Sequence, residues 1–269
     1  MNDKNHMMAA AAAQVRLLSR RRTVCAQGLD WDVLEAGRGE ETLVFLPGTL
    51  GTVHIFSRQV LEFSSRYRVV VLGYPGECDI ELMSASFFGV LRALGIPAAH
   101  FVGSSLGAFW LQEFSCARAD FVQSLVLGNT FVDSRRLGFI KMFQAPFLAN
   151  ASAADVKGAW MDFVGNLPAS DLKHFLLQDV GVEQDMQELV GRSFTIAHLG
   201  RVALSAVPPD RITLLTCDDD RVIAQATAQE LADAYPGARH VRFDSGGHYP
   251  HVLNPVAYNE VVAGSCGPA

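Results

Sequence analysis

Residues 101–107 read Phe101-Val102-Gly103-Ser104-Ser105-Leu106-Gly107, a G-x-S-x-G pattern at the end of an apolar run. The spacing has a mechanical reason. A serine on a sharp strand-to-helix turn needs small residues two before and two after it, because larger side chains would collide as the backbone reverses. Such a turn lifts the hydroxyl clear of the sheet and sets the next backbone N–H at the start of a helix, aimed at a developing oxyanion. Ser105 has Gly103 and Gly107 at these positions, whereas Ser104 has Val102 and Leu106. Ser105 is therefore the candidate nucleophile.

The surrounding pattern alternates. Leu43 to Pro47, Tyr67 to Leu72, His100 to Gly103 and Ser124 to Gly128 are apolar runs of strand length, and residues 84–95 and 108–119 between them have helical periodicity. Continuous apolar strands separated by helices predict a parallel sheet covered on both faces, an α/β fold. Residues 22–37 read as an antiparallel hairpin around Gly28 at the sheet edge. From Asp133 to Arg211 the strand signal lapses, and helices are expected over 139–148, 153–164, 170–177 and 183–193. Strands resume at Ile212 to Thr216 and His240 to Phe243, with helices over 224–235 and after Pro255. The expected organisation is a tail or short helix over 1–20, a core of 21–134 and 206–269, and a helical cap inserted at 135–205. An insert of that length is too long for an ordinary connection. A cap belongs over the carboxyl ends of the strands, where open α/β sheets bind ligands.

A serine hydroxyl needs a base within reach and a group to orient that base. After the strand ending at Thr216 come Asp218, Asp219 and Asp220; after the strand ending at Phe243 come Gly246, Gly247 and His248. The order serine, acid, histidine is that of the G-x-S-x-G fold. His248, in its glycine turn, is the expected base, with His251 its nearest rival. Asp220 is the first choice of acid, followed by Asp219 and Asp218. His248-x-x-His251 also has the look of a metal pair, but no third ligand at suitable spacing accompanies it, so no metal is expected. The oxyanion hole is expected from Leu106 N–H and from the loop Pro47 to Thr52, with Thr49 N–H first and Leu50 as the alternative.

Composition narrows the class. The chain has 269 residues, 49% of them hydrophobic and 19% charged, enough apolar material for a large core. A formal charge of −6 argues against a nucleic-acid partner. No window approaches the roughly 18 uninterrupted apolar residues of a membrane span. The basic cluster Arg16, Arg20, Arg21 and Arg22 reads as a solvated strand end. Five scattered cysteines (Cys25, Cys78, Cys116, Cys217, Cys266) without a CxxC fit a reducing, cytoplasmic compartment better than a disulfide framework. The Ala-rich N-terminus lacks the basic start and cleavage site of a signal peptide.

These motifs together resemble the α/β-hydrolase superfamily, from about Leu29 to the end of the chain. Within it the chain looks most like the maspardin branch, on Phe45-Leu-Pro-Gly-Thr-Leu-Gly-Thr52, Tyr67-Arg-Val-Val70, Val102-Gly-Ser-Ser-Leu-Gly-Ala-Phe109, Ser124-Leu-Val-Leu-Gly-Asn-Thr-Phe131, Ala234-Tyr-Pro-Gly-Ala-Arg239 and Ser245-Gly-Gly-His248. Two stretches depart from the superfamily. Pro47-Gly48 replaces the common His-Gly of the oxyanion loop, and Gly73-Tyr-Pro-Gly-Glu-Cys-Asp79 replaces the usual Asp-x-x-Gly-x-Gly-x-Ser. The resemblance implies a serine hydrolase without cofactor, acting on a small acyl substrate, with Ser105, Asp220 and His248 as its triad. Its maspardin side implies the alternative of a non-catalytic binding scaffold, since maspardin looks like a binding protein whose own triad is incomplete. Thioesterase, lactonase, C–C hydrolase and cyclase chemistry uses the same triad. Leu50, His54, Met142, Phe143 and Phe147 are the expected substrate contacts. Phe139, Phe163 and Phe175 are further candidates for an apolar acyl pocket, while Trp110 and Phe114 are expected in the core.

Overall fold

The computed structural model describes residues 7–77 and 79–267; residues 1–6 of the expected tail, Cys78 and the last two residues lie outside the description. Among the described residues eight strands form one sheet: β1 (Arg20–Ala26), β2 (Leu29–Ala36), β3 (Thr42–Leu46), β4 (Arg68–Gly73), β5 (Ala99–Ser104), β6 (Val122–Gly128), β7 (Ile212–Cys217) and β8 (Arg239–Phe243). Their order is β1-β2-β4-β3-β5-β6-β7-β8. β1 and β2 are antiparallel, as are β2 and β4, and the other neighbours run parallel. The edge hairpin turns on Gln27 and Gly28, both at positive φ (53° and 78°). A two-residue turn of that hand matches the twist of the flanking strands.

Every residue of β3 and β5 is buried. Strands buried on both faces must be covered on both faces. Helices α3 (Ile80–Ala93) and α4 (Leu106–Ala117) pack side by side, as do α2 (Ser57–Phe63) and α11 (Pro255–Ser265). Trp110 and Phe114 of α4 are buried in the core. The Ala-rich segment forms α1 (Met7–Leu18), which buries Met8 and Val15 while packing on α2 and α7 (Asp171–Gln178). Ala and Leu are strong helix formers, and tertiary packing anchors what would be marginal alone. The four described cysteines are unpaired. No helix among the described residues is long and apolar enough to cross a membrane.

Between β6 and β7 the described chain forms α5 (Ala145–Leu148), α6 (Ala153–Gly165), α7 and α8 (Met186–His198). It leaves and returns through a narrow neck, where Asp133 and Arg201 bridge and Val202 N–H donates to Val132 O at 2.9 Å. α6 begins with a capping box in which Ser152 and Asp155 each satisfy the other's backbone N–H. The continuous helix expected over 139–148 is not formed. A single 3₁₀ turn over Lys141–Phe143 precedes the short α5, which starts at Ala145-Pro146. Proline fits the first turn of a helix and not its interior, so the helix starts there. α9 (Gln225–Ala234), between β7 and β8, and α10 (Pro250–Leu253), after β8, complete the helices among the described residues.

Candidate active site

Ser105 stands between β5 and α4 with φ 53° and ψ −119°. This conformation is uncommon for a residue with a Cβ and persists only when the surroundings impose it. Here Ser105 N–H donates to Gly128 O at 2.9 Å, and Thr130 Oγ1 donates to Ser105 O at 2.7 Å. The flanking glycines are required by close backbone approach. A Cβ on Gly103 would lie 2.5 Å from Ala108 Cα, and one on Gly107 would lie 2.3 Å from Pro47 O.

Of the three successive aspartates, Asp220 meets His248. Its Oδ2 accepts His248 Nδ1 at 2.9 Å and Asn129 Nδ2 at 2.7 Å, and its Oδ1 accepts Val222 N–H at 2.7 Å and Ile223 N–H at 3.0 Å. Burial by itself drives this carboxyl upward. The facing His248, its hydrogen bond and the two backbone N–H groups outweigh that, and the pKa falls below the usual carboxylate value. Asp219 accepts Gly247 N–H at 2.7 Å, steadying the glycine turn that presents His248. Asp218 pairs with Arg242 at the surface. The turn needs its glycines, since Gly246 and Gly247 have φ of 146° and 55°.

Ser105 and His248 line one cavity of about 30 Å³. No hydrogen bond joins them in this structure; such pairs often tighten only around substrate. Thr49 and Leu50 of the Pro47–Thr52 loop face the same cavity, as do Ile140, Met142, Phe143, Trp160 and Phe163 from the insert. His251 lies on its wall, packed among the tilted rings of Phe56, Tyr249 and Tyr258, and burial pushes its pKa down to about 3, so its ring is neutral. Among the described residues, no Asp, Glu, Lys or Arg side chain lines the cavity.

Two of the expected substrate contacts lie elsewhere. His54 is buried in a 3₁₀ turn (Val53–Phe56) and borders a separate cleft with Asp179 and Arg192, on the other side of the loop. Burial lowers its pKa to about 4. Phe147 follows Pro146 on α5, away from the cavity, with Lys141 Nζ 5.0 Å from its ring centroid. Breaking of the expected helix at 139–148 changed the phase that would have carried it inward. Phe139 is exposed and Phe175 packs against the core away from the cavity.

Three residues that matter to the geometry have no catalytic motif around them. Asn129 holds Asp220 and also donates to Gly247 O at 2.7 Å, from a positive φ of 44° that asparagine tolerates better than most residues. Tyr74 OH lies 2.8 Å from Gly48 O and 3.0 Å from Pro47 O. Arg192, buried on α8, grips the same loop from beneath. Its signal in the sequence is a lone cation on the face shared by Leu189 and Ile196.

Comparison with known proteins agrees with the fold. Human (Homo sapiens) maspardin is 27% identical over an alignment covering 85% of this chain and 76% of the relative. A solved hydrolase from Pseudomonas aeruginosa PA01 superposes with a TM-score of 0.75 at 18% identity, covering 93% of this chain and 99% of that one. The enol-lactonase from Burkholderia xenovorans LB400 gives a TM-score of 0.70 at 20% identity, covering 92% and 100%. Residues 43–261 match the alpha/beta hydrolase family, to which this chain belongs.

Proposed function

We propose that the protein is a serine hydrolase that cleaves a carboxylic ester or related acyl bond through an acyl-enzyme on Ser105. The observation that carries this reading is the Asp220–His248 pair, 2.9 Å apart, opening on the cavity that the strained Ser105 also faces. Ser105 Oγ attacks the carbonyl carbon while His248 Nε2 takes its proton. The oxyanion is held by the N–H groups of Leu106 and Thr49. The bond to the leaving alcohol breaks as His248 returns the proton to it. Water then attacks the acyl-enzyme, giving a proton to His248, and the acid departs as Ser105 Oγ is reprotonated. Asp220 fixes the imidazole tautomer and stabilises its charged form.

The cavity walls narrow the substrate. With no Asp, Glu, Lys or Arg among the described residues that line them, a carboxylate or ammonium on the acyl group would be buried unpaired, which is costly. A free volume of about 30 Å³ favours a short, uncharged acyl group. Insert helices serve as the cap, supplying Met142, Phe143, Trp160 and Phe163 to its apolar wall. The test is hydrolysis of p-nitrophenyl esters from acetate to decanoate by wild type and Ser105→Ala, alongside a thioester and a lactone. The reading expects turnover of short neutral esters that disappears in Ser105→Ala. A folded wild type that cleaves none of them supports the second reading, a non-catalytic scaffold, which the near-closed cavity and the open Ser105–His248 pair favour.

A further inference from the structure

We propose that Arg192, on the insert helix α8, is a positioning residue for the oxyanion donors, so that the hole is formed only while that helix is seated. The inference rests on the reading of Ser105 as the nucleophile. Its ground is a set of hydrogen bonds to backbone carbonyls. Arg192 Nε donates to Thr49 O at 2.8 Å, Nη2 to Leu50 O at 3.1 Å and to Gln184 Oε1 at 2.8 Å, and Nη1 to Tyr74 O at 2.9 Å. Only 5% of the residue is exposed.

The consequence follows from the planarity of the peptide bond. In a trans peptide the C=O and the following N–H point in opposite directions. Tyr74 OH and Gly51 N–H hold Gly48 O, at 2.8 Å each, which sets the plane carrying Thr49 N–H. Arg192 holds Thr49 O, which sets the plane carrying Leu50 N–H. It also holds Leu50 O together with Gln184 Nε2, fixing the far end of the turn. The carbonyls of Thr49 and Leu50 are drawn to the Arg192 side, leaving Leu50 N–H opposed to it, in the loop that faces Ser105; Arg192 acts on Thr49 N–H through Tyr74, whose O it holds and whose OH holds Gly48 O. Gly51, with φ 70°, lets the guanidinium lie against the turn; a Cβ there would be 2.9 Å from Arg192 Cζ.

A buried guanidinium is expensive unless its donors are met. Packing alone would be served as well by an apolar side chain, which could not hold three carbonyls in fixed directions. A lysine cannot either, since a point charge lacks the planar fork. Preorganised donors stabilise the transition state more than the bound substrate. Loss of Arg192 therefore shows in kcat rather than KM, which a purely structural role would not produce.

The experiment compares wild type, Arg192→Lys and Arg192→Gln. It measures kcat and KM for p-nitrophenyl acetate and affinity for a trifluoromethyl ketone, whose adduct with the serine places an oxyanion in the hole. Thermal melts report folding. Expected is a fall in kcat of about 100-fold, as for a misplacement on the ångström scale, with KM within about threefold. Affinity for the ketone should fall in parallel with kcat. An unchanged kcat in folded variants, or a rise in KM with kcat and ketone affinity retained, overturns the proposal. Should both variants fail to fold, Gln184→Leu removes one bond from Arg192 and one from Leu50 O. It should lower ketone affinity more than it raises KM, and the opposite order overturns the proposal. A folded wild type inert toward every ester rejects the reading of Ser105 and this role with it. An active wild type whose Arg192 variants keep their kcat rejects the role alone.

Discussion

Asn129 donates its side-chain amide to Asp220 Oδ2 at 2.7 Å, on the same oxygen that accepts His248 Nδ1. With Val222 and Ile223 on Oδ1, the carboxylate of Asp220 receives four donors. It is thus fixed in rotation as well as in charge, and the imidazole is fixed through it.

Asn129→Gly keeps the positive φ but removes the amide. A hydrogen bond to a charged group is worth about 1.5–3 kcal/mol, so kcat/KM should fall about tenfold or more while the protein stays folded. Asn129→Asp should fall further, because two carboxylates at hydrogen-bond distance cannot both ionise. Steady-state kinetics on a short neutral ester checks both, and activity unchanged in Asn129→Gly would remove Asn129 from the account.

Ser105→Gly should be more stable than wild type by about 1 kcal/mol, since it relieves the positive φ of Ser105. Ser105→Ala keeps a Cβ in the same backbone conformation and should gain little. Both should be inactive. Urea unfolding of the three proteins separates the outcomes, and equal gains from Gly and Ala would mean that backbone strain is not what the elbow stores.

Two buried histidines should take stability away as the pH falls below about 6.5. Burial lowers the pKa of His54 to about 4 and that of His251 to about 3, from the ordinary histidine value of about 6.5. Both are neutral in the folded protein and gain their protons sooner when unfolded. Their contribution is therefore full above pH 6.5 and is lost as the pH falls toward the folded values. These two rings add up to about two protons to the uptake of the unfolded chain across that window; His100 and His240, also lowered by burial, act in the same direction, and Asp179, raised to about 6 by burial, opposes them. His54→Phe and His251→Phe should each flatten the slope by up to about one proton, measured as urea midpoints between pH 7 and pH 4. No change in slope would contradict the neutral buried rings.

Phe163 lines the cavity beside Trp160, with ring centroids 6.1 Å apart. Phe163→Ala should move the preferred acyl chain to greater length, raising kcat/KM for hexanoate relative to acetate about tenfold or more on the scale of a few buried methylenes. An unaltered ratio would mean that the acyl group does not enter against the insert.

The parallel strands, the edge hairpin and the elbow were legible in the sequence because each rests on a local rule. Apolar runs mark strands buried on both faces, and Gly103 and Gly107 mark a turn where a Cβ would strike backbone. Position in the chain carried Asp220 and His248, the first after β7 and the second in a glycine turn after β8. What escaped was set by tertiary contact. The phase of the insert around Phe147 depends on where Pro146 restarts the helix. His54 follows the loop by only two residues, yet its 3₁₀ turn carries the ring to the other side. Arg192, Tyr74 and Asn129 act by gripping backbone or a carboxylate far along the chain, and no short spacing encodes such a contact.

The central claim is that Ser105 is an armed nucleophile. Intact-protein mass spectrometry after treatment with a fluorophosphonate, followed by peptide mapping, tests it most directly. The account predicts one adduct per wild-type chain, on Ser105 and not on Ser104, and none on Ser105→Ala. A folded wild type that takes no adduct, or an adduct that persists in Ser105→Ala, would contradict it.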